Sequence, residues 1–190
     1  MLLVLVLVAA CGVTEDSSPR AISEERLPEG LTPSSTNTTV SGEGAPRNLY
    51  FVTGQAATED RRRLSPIARE VESPGSTREV LEALLQPPEE TDLGTLIPPE
   101  TELLDTDLTE DGTLTIDLSE QFDSVQSEGQ ALAYAQIVFT VTDRIAFSDV
   151  RRVRFEVEGE PRDAPTDEGE PKSVVTRRDY TSFEPRPPGG

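Results

Sequence analysis

Apolar positions along this chain change their spacing several times, and each spacing predicts a different element. Leu49-Tyr50-Phe51-Val52 is apolar on both faces of an extended chain, which reads as a short central strand. Gly54 to Arg63 reads as a loop, and Leu64 to Val71 as a weaker strand that Pro66 pushes towards a sheet edge. Ser76-Thr77-Arg78-Glu79 has the spacing of a capping box. Val80, Leu81, Leu84 and Leu85 follow on one helical stripe, and Pro87-Pro88 ends the helix. Leu104, Thr106 and Leu108 alternate as a strand, Asp111-Gly112 supplies hairpin turn chemistry, and Leu114, Ile116 and Leu118 alternate back. A second capping box, Ser127-Glu128-Gly129-Gln130, opens a longer helix through about Asp143, with a wide apolar face of Leu132, Ala135, Val138, Phe139, Val141 and Ile145. In the final strand, Arg151 to Val157, Val153, Phe155 and Val157 point inward, and Arg152, Arg154 and Glu156 outward. The acidic, Pro-rich 160s read as loop, and Ser173 to Tyr180 is a candidate extra edge strand.

The resulting order is β-α-β-β-α-β, which places the chain in the α+β class: a small mixed β-sheet backed by two helices. That domain spans 47–182, with Phe122, Phe139 and Phe155 expected in its core, and residues 183–190 read as a flexible tail.

Ahead of the domain the pattern changes. Residues 1–10 form an apolar run too short to span a bilayer but suited to a signal-peptide core. Val8-Ala9-Ala10-Cys11 resembles the bacterial lipobox, although no Lys or Arg precedes the run. The resemblance implies a diacylglycerol on the Cys11 thiol and cleavage ahead of it, hence anchorage to the outer face of the cytoplasmic membrane. Two acyl chains suffice for stable anchorage. Residues 11–46, rich in Ser, Thr, Pro, Gly and Glu, read as a disordered tether with an end-to-end distance of roughly 30–35 Å.

Composition narrows the chemistry. The net charge of −19 argues against a nucleic-acid partner, since phosphate backbones are held by clustered Lys and Arg. With no histidine, Ser-His-Asp and Cys-His nucleophilic sites are impossible, and the commonest metal ligand is missing. Cys11 is the only cysteine, so no disulfide forms within the chain, and Lys172 is the only lysine. No cofactor is expected.

Several segments taken together resemble the GerMN domain of bacterial sporulation and germination proteins. Leu96-Ile97-Pro98-Pro99-Glu100-Thr101-Glu102-Leu103-Leu104 is similar to the family's Ile-Pro-Pro-Gly turn, and Thr115-Ile116-Asp117-Leu118-Ser119 to its Val-Asp-Leu-Ser strand end. Leu81 to Leu85 matches the first helix, Gln136 to Thr142 the second, and Val150 to Gly159 the closing strand. Pro87-Pro88 stands where Gly-Pro is usual, and Glu100 where the turn has glycine. The resemblance implies an α/β domain in envelope assembly or spore physiology, and it carries over no catalytic residue.

The expected function is therefore a non-catalytic binding or scaffold module, tethered by lipid and meeting another envelope protein or a cell-wall polymer. Arg151, Arg152 and Arg154 are the candidate partner-binding surface, set against the alternative that they pair with the chain's own carboxylates. Arg61-Arg62-Arg63 is a second local positive feature. The competing class is a carboxylate-dependent peptidoglycan hydrolase, for which Asp105, Asp107 and Asp117 could converge on one sheet face. Asp105 to Ile116 also invites comparison with a calcium loop, but Glu110 and Ile116 occupy the positions that need glycine and glutamate.

Overall fold

The computed structural model describes residues 45–53, 63–72, 76–90, 92–125, 129–144 and 147–185. The signal segment, Cys11 and the tether up to residue 44 lie outside them, as do Arg61, Arg62, Ser127 and Ile145; Ala45 and Pro46, expected in the tether, open the first strand.

Strand β1 (Ala45–Thr53) is paired on both sides. It runs antiparallel to β2 (Arg63–Val71) along its whole length, and to the two-residue β3 (Leu93–Gly94) at Val52 and Thr53. Leu49, Tyr50, Phe51 and Val52 are all buried, as a strand apolar on both faces requires. Strand β2 is an edge, with Pro66 opposite Tyr50.

A second sheet holds β4 (Leu103–Leu108), β5 (Thr113–Leu118), β6 (Arg152–Val157) and β7 (Glu160–Arg162), in that order. Here β4–β5 and β6–β7 are antiparallel, while β5 and β6 are parallel and joined through helix α2 (Gln130–Val141), the kind of crossover a parallel pair needs. The α+β class and the element order stand, but the strands divide into two sheets rather than forming one. Pro98 and Pro99, which lack backbone donors, separate β3 from β4.

Helix α1 (Thr77–Leu85) starts where the capping box places it: the Ser76 hydroxyl accepts the Glu79 N–H at 3.3 Å, and Val80, Leu81 and Leu84 are buried. Arg78 reaches from it to the edge of β4, donating to the carbonyls of Leu103 and Leu104 at 3.4 and 3.0 Å, next to a register shift in that strand. That irregularity leaves Leu104 without a register partner in β5, and it is 39% exposed; Leu108, opposite Leu114, is 43% exposed because β4 is the sheet edge.

Helix α2 is buried on every side from Leu132 to Val141, beyond the one wide face that the pattern suggests. Its Tyr134 packs edge-on against Phe155 of the second sheet, with ring centroids 4.7 Å apart. Its Phe139 meets Tyr50 of the first sheet at 5.5 Å. The helix ends at Val141, a turn's fraction short of Asp143.

Two segments of the C-terminal third depart from expectation. Residues 160–162 form β7, because Glu158 and Gly159 both adopt positive φ (53° and 77°) and close a two-residue hairpin. The candidate edge strand at Ser173 to Tyr180 is reduced to one bridge, between Val153 and Val175, after which the chain coils into a 3-10 helix, Arg177–Phe183.

Candidate functional site

The three arginines of the candidate binding surface occupy three settings. Arg152 donates to the Asp111 carboxylate at 2.6 Å and to its carbonyl at 3.1 Å, bracing the β4–β5 turn. Thr109 and Thr113 also bond that carboxylate and, with a smaller contribution from Arg152, hold it below the usual 3.8. Arg154 stands exposed on the outer face of the second sheet. Arg151, just ahead of β6, turns into a cleft.

That cleft, of about 700 Å³, opens where the end of α2, the approach to β6 and the C-terminal 3-10 helix meet. Four arginines line it, Arg144, Arg151, Arg177 and Arg178, together with Thr142, Ser148 and Thr176. Glu184 is its one carboxylate among the described residues.

The wall carrying Arg177 and Arg178 is fixed by a capping box. Asp179 accepts from the Thr176 N–H at 2.7 Å and from its hydroxyl at 2.8 Å, while the Thr176 hydroxyl accepts the Arg178 N–H at 3.3 Å. Lys172 also donates to Asp179. Burial alone would raise the Asp179 carboxyl, but these hydrogen bonds outweigh it and hold the group below its usual 3.8.

Arg177 is anchored from below. It donates to the Phe139 carbonyl at 2.8 Å, and its guanidinium lies 4.2 Å from the Phe139 ring centre and 5.2 Å from that of Tyr50. It thereby satisfies a carbonyl in the last turn of α2, at the negative end of the helix dipole. Burial raises the Tyr50 hydroxyl above its usual 10.0; Arg177 opposes that rise, and Asp143, which accepts from Tyr50 at 2.9 Å, adds to it.

The other three arginines of the cleft differ from most of the basic side chains. Arg69 pairs with Glu90, Arg78 with Glu82 and Asp105, Arg152 with Asp111, Arg162 with Asp123, and Lys172 with Asp179. Arg63 donates to the Ser182 carbonyl. Arg144, Arg151 and Arg178 are exposed and form no ion pair among the described residues; outside the cleft, Arg154 shares that condition. An acidic chain thus leaves three guanidinium groups unneutralised around one concavity. Sequence reading reached Arg151 alone. Arg144 and the Arg177-Arg178 doublet lie in separate segments, and nothing in their local spacing links them.

The acidic candidates do come together on the outer face of the second sheet. Asp105 pairs with Asp117, which pairs with Glu156, so three carboxylates form one row across three strands, with Asp107, Thr115 and Arg154 in the next. This is an open surface: the Asp105 side chain is 77% exposed and touches Arg78, and Asp117 accepts the Gly159 N–H at 3.0 Å. Among the described residues no group of three acidic or cysteine side chains is arranged to hold a metal ion.

Comparison with known proteins adds a family. Residues 48–163 match the Germane family, described as sporulation and spore germination. The first GerMN domain of the sporulation protein GerM from Bacillus subtilis has the same fold, at 20% identity and a TM-score of 0.52, over 70% of this chain and 98% of that one. The tandem GerMN domains of GerM align at 18% identity and a TM-score of 0.49, over 72% of this chain and 47% of that one. A candidate lipoprotein from Clostridium perfringens aligns at 18% identity and 0.46, over 76% and 94%. No curated protein matches the chain.

Proposed function

This chain belongs to the Germane family of sporulation and spore-germination domains, and from that premise we propose that it is a non-catalytic binding module displayed on the outer face of the bacterial cytoplasmic membrane. The Val8-Ala9-Ala10-Cys11 lipobox supports the anchor, with Cys11 carrying the lipid. The partner is another envelope protein or a cell-wall polymer.

The observation that carries this reading is the cleft in which Arg144, Arg151 and Arg178 have no ion-pair partner among the described residues, in a chain of net charge −19. Guanidinium groups have no shortage of carboxylates here, so a concavity that keeps three of them free is arranged for an external anion. The carboxylate row is the basis for the competing hydrolase. It lies on an open sheet face, whereas glycoside cleavage uses a carboxyl held in shielded surroundings.

One set of variants tests both readings in cells of the source bacterium. The triple variant Arg144→Gln, Arg151→Gln, Arg178→Gln should lose function at normal abundance. Asp105→Asn with Asp117→Asn and Glu156→Gln should keep it. Cys11→Ser should lose labelling by a palmitate analogue and leave the membrane fraction. A folded acidic variant without function would replace the binding module with an enzyme, and undiminished labelling of Cys11→Ser would remove the lipid anchor.

A further inference from the structure

We infer that the arginine cleft takes a phosphodiester anion, as found along a polyol-phosphate polymer or in an anionic lipid headgroup. This inference rests on the binding-module reading and gives its ligand a chemistry.

Two features select phosphate over carboxylate. Four arginines line one cleft, each carrying a planar fork of N–H donors, whereas a single carboxylate has two oxygens and is filled by one fork. A phosphate presents acceptor oxygens in several directions, and a chain of phosphodiesters presents them repeatedly along an open groove. The hydroxyls of Thr142, Ser148 and Thr176 already donate to the Val138 carbonyl, Asp149 and Asp179, so the donors left for a ligand are the guanidinium N–H groups. Finally, the chain has 36 acidic residues, yet among the described residues only Glu184 lines the cleft.

The geometry also divides the labour. Arg177 is already bonded to Phe139 and packed over two rings, so it is a fixed positive floor. Among the described residues, Arg144, Arg151 and Arg178 have no ion pair to release before they bind. A ligand therefore meets prepositioned charge at one wall and three unpaired side chains around it. The overall acidity repels anions at long range, so binding should depend on close contact and fall with added salt.

The full-length chain is titrated calorimetrically with soluble glycerol-phosphate oligomers and, separately, with poly-glutamate of equal charge. It is also mixed with vesicles of phosphatidylglycerol and of phosphatidylcholine, where binding to the neutral vesicles measures what the apolar N-terminus alone contributes. The oligomers, the anionic vesicles in excess of the neutral ones, or both should bind at least ten-fold more tightly than poly-glutamate. Which arm responds tells polymer from headgroup. R144Q/R151Q/R178Q should weaken that binding at least ten-fold with an unchanged circular dichroism spectrum. R154Q, which removes an arginine outside the cleft, should leave it as it was. If the triple variant does not fold, R178E alone replaces it, with the same loss expected.

Absence of phosphodiester binding, equal binding to poly-glutamate, or wild-type affinity in the cleft variants each overturns the inference. If phosphodiesters fail but the triple variant still loses function in cells, the binding module survives with another ligand. If the triple variant keeps its cellular function as well, both readings fall.

Discussion

The carboxamide of Gln136, in the middle of α2, bonds the backbone of Tyr50 on β1: its Nε2 donates to the Tyr50 carbonyl at 3.2 Å. One turn on, the Thr140 hydroxyl accepts the Tyr50 N–H at 3.1 Å while donating to the Gln136 carbonyl at 2.8 Å. Strand β3 reaches only Val52 and Thr53, so beyond it the edge of β1 is completed by side chains of a helix. This explains how α2 carries polar residues while buried on all sides: each is a hydrogen-bonding partner for a strand.

Gln136 also accepts the Leu96 N–H at 2.8 Å, joining α2 to the segment that follows β3. Gln136→Leu preserves much of the volume but strands the Tyr50 carbonyl and the Leu96 N–H. It should cost about 2–5 kcal/mol in urea denaturation. Gln136→Glu keeps the acceptor, loses the donor and buries a charge, and should cost more. A cost below 1 kcal/mol for both would mean that water takes over these bonds.

Alkaline stability follows from the tyrosines. The chain has three, and burial is the main cause that raises each above 10.0: Tyr50, Tyr134 (to about 12) and, furthest, Tyr180. A raised folded-state value means that the unfolded chain loses its proton first. The tyrosine contribution is therefore fully present below pH 10 and is lost as pH climbs through the folded values. Each group removes up to ~1.4 kcal/mol per pH unit over that interval. Tyrosinate absorbance should accordingly appear together with the loss of circular dichroism, in one cooperative step. A smooth rise centred near 10.0 in a chain that stays folded would contradict this.

Two turn positions should respond in opposite directions. Gly112 has φ +79°, and a Cβ there would sit 2.6 Å from the Asp149 carbonyl, so Gly112→Ala should cost about 2–4 kcal/mol. Glu100 has φ +65° in the turn closed by the Thr101 N–H on the Pro98 carbonyl, at the position where the GerMN turn has glycine. Glu100→Gly should therefore raise stability by about 0.5–1 kcal/mol, the relief of left-handed strain less the extra freedom glycine gives the unfolded chain. Thermal unfolding of the two variants gives both signs, and a destabilised Glu100→Gly would place the value of that residue in its side chain.

What the sequence determined by itself is the local structure with a local cause. The Ser76 cap, the Pro87-Pro88 stop, the Asp111-Gly112 hairpin, the edge placement of β2 and the central position of β1 all follow from residues within a few positions of one another. The Glu100 departure is legible in the same way, because a turn writes its φ requirement into its own residues. The tertiary structure decided the rest. It split the strands into two sheets, and it formed β7 at a Glu-Gly turn whose left-handed geometry the Glu158 side chain does not advertise. It also coiled the expected edge strand into a 3-10 helix once Val175 had made its single bridge. The cleft belongs to this second group. Its arginines stand at 144, 151, 177 and 178, and they meet only because α2 ends beside the approach to β6 and the C-terminal helix closes over Phe139. Periodicity and capping act through neighbours along the chain, whereas a charge site is made by neighbours in space, and those are set only when the core between them packs.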